Sequence, residues 1–259
     1  MTQSYINDSL LQTFSKQAFE SKKPYPWHDF HHFLTPEAFE ELYQSFPPLG
    51  LFEKHEGLER GYNQRPHDRF YLAYRQSNYH PSSYRGKGVV QHSELPPAWR
   101  SLIEELESPK YQNFMKAALG IPRFITRYAW HVGVSGSEVS PHWDVMTKVG
   151  LHNFYFNTSK DWDLAWGGQT LVLGGLKRKL KNPDFSDFEK TTAVPFLDNR
   201  SFFFKNTPWG WHGVKPITCP SGKRRLLFSV IFEASPSFAE RILQATARII
   251  PKKTYPGQS

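Results

Sequence analysis

Two histidines and one aspartate in this sequence have the residue types and the spacing of a metal site. His142 and Asp144 are separated by one residue, and His212 follows much later in the chain. If residues 142–144 are extended, the side chains of His142 and Asp144 point to the same side of the strand. Two imidazoles and one carboxylate on one face are the ligands of a non-haem ferrous ion, Fe(II), and they leave coordination positions open for a cosubstrate and dioxygen, O2.

An apolar segment that begins with arginines follows His212. Residues 220–222, a Pro-Ser-Gly sequence, predict a turn, and residues 224–232 predict the strand that comes after it. An arginine at the start of such a strand is costly to bury without an anion. Because a guanidinium binds a carboxylate through two parallel hydrogen bonds, the pattern indicates a bound carboxylate.

Two adjacent arginines are candidates for this anion contact. Arg225, Leu227 and Ser229 share one face of the predicted strand, and Arg224 lies on the other face. We therefore assign Arg225 to the anion and Ser229 to its support. A single β-bulge would exchange the two faces, so Arg224 stays open as the alternative.

The order of these segments resembles the iron(II)- and 2-oxoglutarate-dependent dioxygenases, in their prolyl-hydroxylase-like branch. That family has, in chain order, an H-x-D motif, a Tyr-Leu-Asn strand end, a Gly-Gly pair, an H-x-V motif and a basic residue before the closing strand. The matching segments here are residues 142–144, 155–157, 167–170, 212–214 and 225–232. The likeness covers roughly residues 125–233.

The resemblance implies a fold, an iron site and a cosubstrate site. The expected fold is mainly β with flanking helices, around a double-stranded β-helix of the jelly-roll or cupin-like type. His142, Asp144 and His212 would bind iron, and Arg225 and Tyr155 would bind the distal carboxylate of 2-oxoglutarate. The expected reaction oxidises a C–H bond, with hydroxylation as the default outcome and succinate and carbon dioxide as co-products. Asp144 argues against halogenation, because the halogenating relatives have a small residue at that place.

The sequence departs from the family pattern in two places. Gln169 stands where many relatives have glutamate. The interval between His212 and Arg225 is a few residues longer than usual, which keeps the choice between Arg224 and Arg225 open.

Composition predicts one domain with a well-filled core. The chain has 259 residues, of which 39% are hydrophobic and 16% aromatic, and this favours strands over disorder. Cys219 is the single cysteine, which excludes an intramolecular disulfide and is typical of a reducing compartment. The first residues do not have the pattern of a signal peptide, and the sequence has no apolar run of membrane-spanning length. We expect a cytoplasmic protein that has no membrane partner.

The formal charge of +8 suggests attraction to anions, but it is spread along the chain. The densest basic run, residues 176–181, is typical of a solvated surface. Nucleic-acid demethylases of the superfamily resemble R-x-N-x-T-x-R at the closing strand, whereas Arg225 is followed here by Leu227, Ser229 and Ile231 at the matching places. Nucleic acid is therefore not an expected partner. The favoured substrate is a small anionic or zwitterionic metabolite; the alternatives are a prolyl or other residue of a protein, or no substrate, in a non-catalytic binding module.

The chain is interpreted as a single dioxygenase domain, residues 1–259. Residues 1–122 would form helical support and the substrate entrance, residues 123–233 the jelly-roll catalytic core, and residues 234–259 a C-terminal helix and tail. The predicted helices are residues 36–46, 97–107, 110–119 and 238–249. The predicted strands are residues 124–131, 151–157, 170–173, 201–205 and 224–232, and residues 25–30 are interpreted as an entry strand or a turn.

Two segments lack a clear period and are assigned to the substrate wall. Residues 52–92 mix aromatic and charged side chains, and the loop 158–166 adds two tryptophans. For His131 and His152, the sequence favours a core position and a position beside the substrate equally. The predicted substrate-binding residues are Arg60, Arg65, Arg69, Arg75, Trp162 and Trp166.

Overall fold

Two β-sheets form the centre of the computed structural model, which describes residues 4–58 and 64–235. The larger sheet contains, in spatial order, β1 (Trp27–His31), β10 (Arg200–Lys205), β7 (Lys148–Tyr155), β12 (Arg225–Ala234), β5 (Phe124–Gly133), β3 (His67–Tyr74) and β2 (Glu53–Leu58), with β4 (Val89–Val90) beside β3. The smaller sheet contains β6 (Val139–His142), β11 (His212–Val214), β8 (Leu171–Leu176) and β9 (Phe188–Ala193). All pairs are antiparallel except β3 with β4. The predicted jelly-roll with flanking helices is confirmed.

Helices cover the outer face of the larger sheet. They are α1 (Asp8–Thr13), α2 (Lys16–Ser21), α3 (Pro36–Gln44), α4 (Pro97–Glu107) and α5 (Pro109–Leu119). Thr35 caps α3 by accepting a hydrogen bond from the amide of Ala38 at 3.3 Å, as expected for a threonine before proline at a helix start. Trp99 of α4 is fully buried, with its ring 5.2 Å from that of Trp130 and 5.1 Å from that of Phe228.

Alternation along β12 separates the helix-facing core from the interior between the sheets. Phe228, Val230 and Phe232 are buried in the core cluster that includes the helices. The intervening residues line an interior cavity: Arg225, Leu227, Ser229 and Ile231. Because strand side chains alternate between the two faces, this single strand supplies both the core and the cavity.

The predicted elements agree with the structure in the core and differ at its edge. Helices α3, α4 and α5 and the predicted strands are confirmed to within a few residues. Residues 52–92, predicted as irregular, contain β2, β3 and β4, so residues 1–122 contribute strands as well as helical support. The edge strand β9 was not predicted. The predicted helix 238–249 lies outside the described residues. No helix in the described ranges is both long and apolar enough to cross a membrane.

The buried His152 is expected to make stability depend on pH. It lies on the helix-facing side of β7, where Nδ1 is 3.0 Å from the Tyr111 hydroxyl and Nε2 is 2.9 Å from Ser201 Oγ. Burial lowers its pKa well below the ordinary value. Below about pH 6.5, His152 is therefore protonated in the unfolded chain but stays neutral in the folded protein. The free energy of unfolding consequently falls as the pH falls.

We expect His152→Gln to remove this contribution to the pH dependence of stability. Between pH 7.5 and 5.5 the wild type should lose about 1.4 kcal/mol more unfolding free energy than the variant does. Urea unfolding at the two pH values measures this difference. Equal losses in the two proteins would show that His152 is protonated in the folded state as readily as in the unfolded chain.

Candidate metal and cosubstrate site

The smaller sheet brings two histidines together. His142 ends β6 and His212 begins β11; they are direct partners in the ladder, and their ring centroids are 4.4 Å apart. Nδ1 of each ring donates to a backbone carbonyl at 2.9 Å, that of Ser140 for His142 and that of Gly210 for His212. Each ring therefore presents Nε2 as its lone-pair nitrogen, in the manner of metal-binding histidines.

Burial keeps both imidazoles neutral. It lowers the pKa of His142 to about 3, with a further contribution from the neighbouring His212. Burial also lowers the pKa of His212. A metal ligand must be deprotonated, so both rings are in the binding form at neutral pH.

Asp144 follows β6 and is also buried. Its Oδ1 accepts a hydrogen bond from Lys148 Nζ at 2.7 Å, while its Oδ2 is buried with no hydrogen-bond partner among the described residues. Burial alone would raise its pKa, but Lys148, His212 and His142 together hold the pKa below its ordinary value. Asp144 is therefore an ionised carboxylate with one unsatisfied oxygen.

His142, Asp144 and His212 are the residue types that bind a ferrous ion, but they are not arranged around a common centre. Within residues 4–58 and 64–235, no group of three or more His, Cys, Asp or Glu side chains has the geometry to hold a metal ion. The Asp144 carboxylate contacts Lys148 through Oδ1. A buried oxygen without a partner costs about 1–3 kcal/mol, which a cation beside two neutral imidazoles would relieve. The donor set therefore fits a divalent metal.

A cavity of about 200 Å³ lies between the sheets and is lined by all three of these side chains. The larger sheet contributes the inner face of β12 described above, together with Leu151 and Asn153 of β7 and His131 of β5. The lining combines aliphatic side chains with charged ones of both signs, which suits a small polar or charged molecule.

Arg225 is buried at one end of this cavity, with 7% of its surface exposed. Its Nε donates to the carbonyl oxygen of Gly168 at 2.6 Å, and its NH2 to Thr170 Oγ1 at 3.4 Å. The ion pairs formed by the described residues do not include Arg225. Burial lowers the pKa of its guanidinium. A buried cation in this position favours an anionic ligand.

The register of β12 places Arg225, and not Arg224, in the cavity. The ladder with β5 runs without interruption from Arg225 opposite Gly133 to Ala234 opposite Phe124. Asn157 fixes the strand start, because its Nδ2 donates to the Arg224 carbonyl oxygen at 2.9 Å and its Oδ1 accepts from the Leu226 amide at 2.7 Å. Arg224 is exposed.

Ser229 and Tyr155 were expected to act together with Arg225, but their hydroxyls form hydrogen bonds with other residues. Ser229 lines the cavity, but its hydroxyl donates to Asn153 Oδ1 at 2.7 Å. The Tyr155 hydroxyl is 2.7 Å from Thr170 Oγ1, and its ring centroid is 5.3 Å from the Arg225 guanidinium carbon. Thr170, which sequence reasoning missed, joins Tyr155 to Arg225. Its position after the Gly167–Gly168 pair was the available signal.

Two of the three predicted substrate arginines that the structure describes do not line the cavity. Arg69 lines it. Arg65 instead pairs with Glu138 at 2.8 Å and with Asp184 at 3.1 Å. Arg75 has a 56% exposed side chain and does not line the cavity. Arg60 lies outside the described residues.

The two predicted tryptophans belong to the core. Trp162 is 3% exposed, and its Nε1 donates to the Gly167 carbonyl oxygen at 3.0 Å. Trp166 packs against it, with ring centroids 5.5 Å apart. Neither lines the cavity. The loop folds inward because Asp161 Oδ1 accepts a hydrogen bond from the amide of Thr158 at 2.6 Å and closes a tight turn.

Asn206 holds the segment that carries Asp144. Its Nδ2 donates to the carbonyl oxygens of Asp144, Val145 and Lys148 at 3.1, 3.0 and 2.9 Å. We expect Asn206→Ala to weaken metal binding about 10- to 100-fold, because supporting contacts of this kind orient a ligand. Calorimetric titration with Fe(II) under anaerobic conditions measures the loss. Thr207→Ala is the matched control, since Thr207 Oγ1 is buried without a partner among the described residues; an equal loss in both variants would contradict the role of Asn206.

Comparison with known proteins identifies the fold. No protein-family model and no curated protein sequence matches the chain. Solved structures do match. A Pseudomonas putida prolyl-4-hydroxylase superposes with a TM-score of 0.55 at 13% identity, covering 87% of this chain and 100% of that one. The chain shares its fold.

Two further structures support this assignment. A Trichoplax adhaerens prolyl hydroxylase in complex with a hypoxia-inducible-factor peptide gives a TM-score of 0.54 at 14% identity, covering 91% and 93% of the two chains. The non-haem 2-oxoglutarate-dependent carbocyclase SnoK of nogalamycin biosynthesis gives 0.54 at 13%, covering 96% of each. The resemblance seen in the sequence is confirmed at the level of the fold.

Proposed function

We propose that this protein is an iron(II)- and 2-oxoglutarate-dependent oxygenase that hydroxylates a C–H bond of a small anionic or zwitterionic metabolite. One observation carries the proposal: the buried cation Arg225 lines the same cavity as His142, Asp144 and His212. A dicarboxylate whose one end is held by a guanidinium and whose other end reaches a metal fits this combination.

Each residue has a distinct part in this function. His142, Asp144 and His212 would hold the iron, and Arg225 would bind the distal carboxylate of 2-oxoglutarate. Bound iron would supply the reaction of dioxygen with 2-oxoglutarate: one oxygen atom would enter succinate, the other would be inserted into a C–H bond of the substrate, and carbon dioxide would be released. Thr170 orients Arg225.

The chain's remaining contributions are orientation and exclusion of water. The Nδ1 hydrogen bonds fix which imidazole nitrogen faces the cavity. Leu227, Ile231 and Val214 make part of the cavity wall apolar, which strengthens electrostatic contacts beside them. The formal charge of +8 favours an anionic or zwitterionic metabolite.

The direct test is release of succinate. The iron-loaded protein, incubated with 2-oxoglutarate and O2, should release succinate slowly alone and faster with the metabolite fraction that contains the substrate. Following succinate across fractions of a metabolite extract identifies that fraction. Iron binding without any succinate release would support a non-catalytic jelly-roll module instead, and stimulation by proline-containing peptides alone would support the prolyl hydroxylase alternative.

A further inference from the structure

A second arginine lies at the end of the cavity opposite Arg225. Arg127 is on β5 and lines the cavity. In the β12–β5 ladder, Arg225 is opposite Gly133 and Arg127 is opposite Ile231. The two arginines are thus six residues apart along this strand pair, which is about 20 Å at the usual rise per residue. Each end of the inner face of the larger sheet therefore carries one of these two arginines.

The contacts of Arg127 leave one donor unsatisfied. Its NH2 pairs with Glu233 Oε1 at 2.6 Å, and its NH1 donates to Asn78 Oδ1. Its Nε is buried and has no hydrogen-bond partner among the described residues. A buried N–H without an acceptor is unfavourable, so an anionic ligand that accepts from it would stabilise the complex.

Arg69 adds a second cation at this end. It lines the same cavity, and its NH2 donates to the hydroxyl of Tyr79, the residue after Asn78. Its guanidinium carbon is 5.1 Å from the ring centroid of Tyr71 and 5.5 Å from that of Tyr79. Both arginines are therefore held by the same short segment.

Charge and ring contacts define the ligand that would fit. Glu233 pairs with Arg127, and Asp68, which also lines the cavity, accepts a hydrogen bond from the Gly57 amide at 2.8 Å. Three rings line this end: the Tyr71 ring is nearly perpendicular to that of Tyr79, at 87°, and tilted by 53° to that of His131, with centroids 5.3 Å apart in both pairs. Cations beside aromatic faces suit an acid that carries a planar group.

We propose that Arg127 and Arg69 bind the carboxylate of the primary substrate, and that this substrate is a small organic acid with a planar or aromatic portion beside its carboxylate. The inference rests on the proposed function, in which 2-oxoglutarate occupies the Arg225 end. The substrate then lies between the two arginine ends, with its oxidised carbon toward His142 and His212.

Binding of a matched pair of probes tests the proposal. The probes are 3-phenylpropanoate and its uncharged analogue 3-phenylpropanamide, titrated calorimetrically into the iron-loaded protein without O2, both with and without saturating 2-oxoglutarate. The wild type should bind the acid at least about tenfold more tightly than the amide. Arg127→Met and Arg69→Met should each weaken binding of the acid about 10- to 100-fold and leave the amide unchanged.

Arg75→Met is the control, because Arg75 is exposed and lies outside the cavity lining; it should keep the wild-type preference. Arg127→Lys preserves the charge and should keep part of the preference, which also covers the case in which Arg127→Met does not fold.

Two results would overturn the proposal. The first is equal affinity of the wild type for the acid and the amide, which includes the case in which neither binds. The second is an undiminished preference for the acid in arginine variants that fold. Loss of 2-oxoglutarate binding in Arg127→Met would also overturn it, because Arg127 would then serve the cosubstrate. Failure of the proposed function would be seen separately, because the wild type would then not bind 2-oxoglutarate. The preference for the acid over the amide is measured in the titration without 2-oxoglutarate and does not depend on that result.

Discussion

Replacing His212 by alanine is expected to abolish iron binding and 2-oxoglutarate turnover while the protein stays folded. The variant loses one of the two neutral imidazoles that face each other across the β6–β11 ladder. The effect should exceed the 10- to 100-fold loss typical of residues that only support a ligand. The ladder itself is made by backbone atoms, so alanine can keep it. His142→Ala and Asp144→Ala should behave in the same way.

Anaerobic Fe(II) titration and succinate release measure this effect, and circular dichroism reports the fold. His131→Ala is the matched control, because His131 lines the same cavity from the larger sheet without belonging to the proposed ligand set. It should keep iron binding and the slow, substrate-independent release of succinate. Wild-type turnover in His212→Ala would refute the ligand assignment.

The strands that carry the site were predictable because their alternation is regular. The period of two in residues 224–232 assigned Arg225 to the interior and Arg224 to the opposite face, and the uninterrupted ladder with β5 agrees. The motif order likewise predicted that His142 and His212 would meet, and they are paired residues of neighbouring strands.

Features set by tertiary contacts were not predictable. Strand β3 was missed because its inner face carries Arg69 and Tyr71, which line the cavity and break the usual apolar pattern. Trp162 was assigned to the substrate wall because aromatic residues in a loop do not reveal which way the loop folds; here it is buried against Phe196, with ring centroids 6.3 Å apart. The contact of Lys148 with Asp144 likewise depends on the loop between them.

Arg225→Ala should raise the 2-oxoglutarate requirement far more than Arg224→Ala. Losing a charge-assisted pair in a buried site costs about 2–5 kcal/mol, which corresponds to a loss of affinity of about 30-fold to several thousandfold. Arg224 is exposed, where screening by water limits the expected change to less than about fivefold. The dependence of succinate release on 2-oxoglutarate concentration measures both variants.

The comparison of the two arginines also tests the strand register. The variants differ by one position and remove the same side chain, so a general effect of lost charge would appear in both. Arg225→Lys should recover part of the affinity, because it restores the charge without the two parallel hydrogen bonds of a guanidinium. If Arg224→Ala had the larger effect, strand β12 would have to be shifted by one residue in solution, with Asn157 no longer bonded to both Arg224 and Leu226.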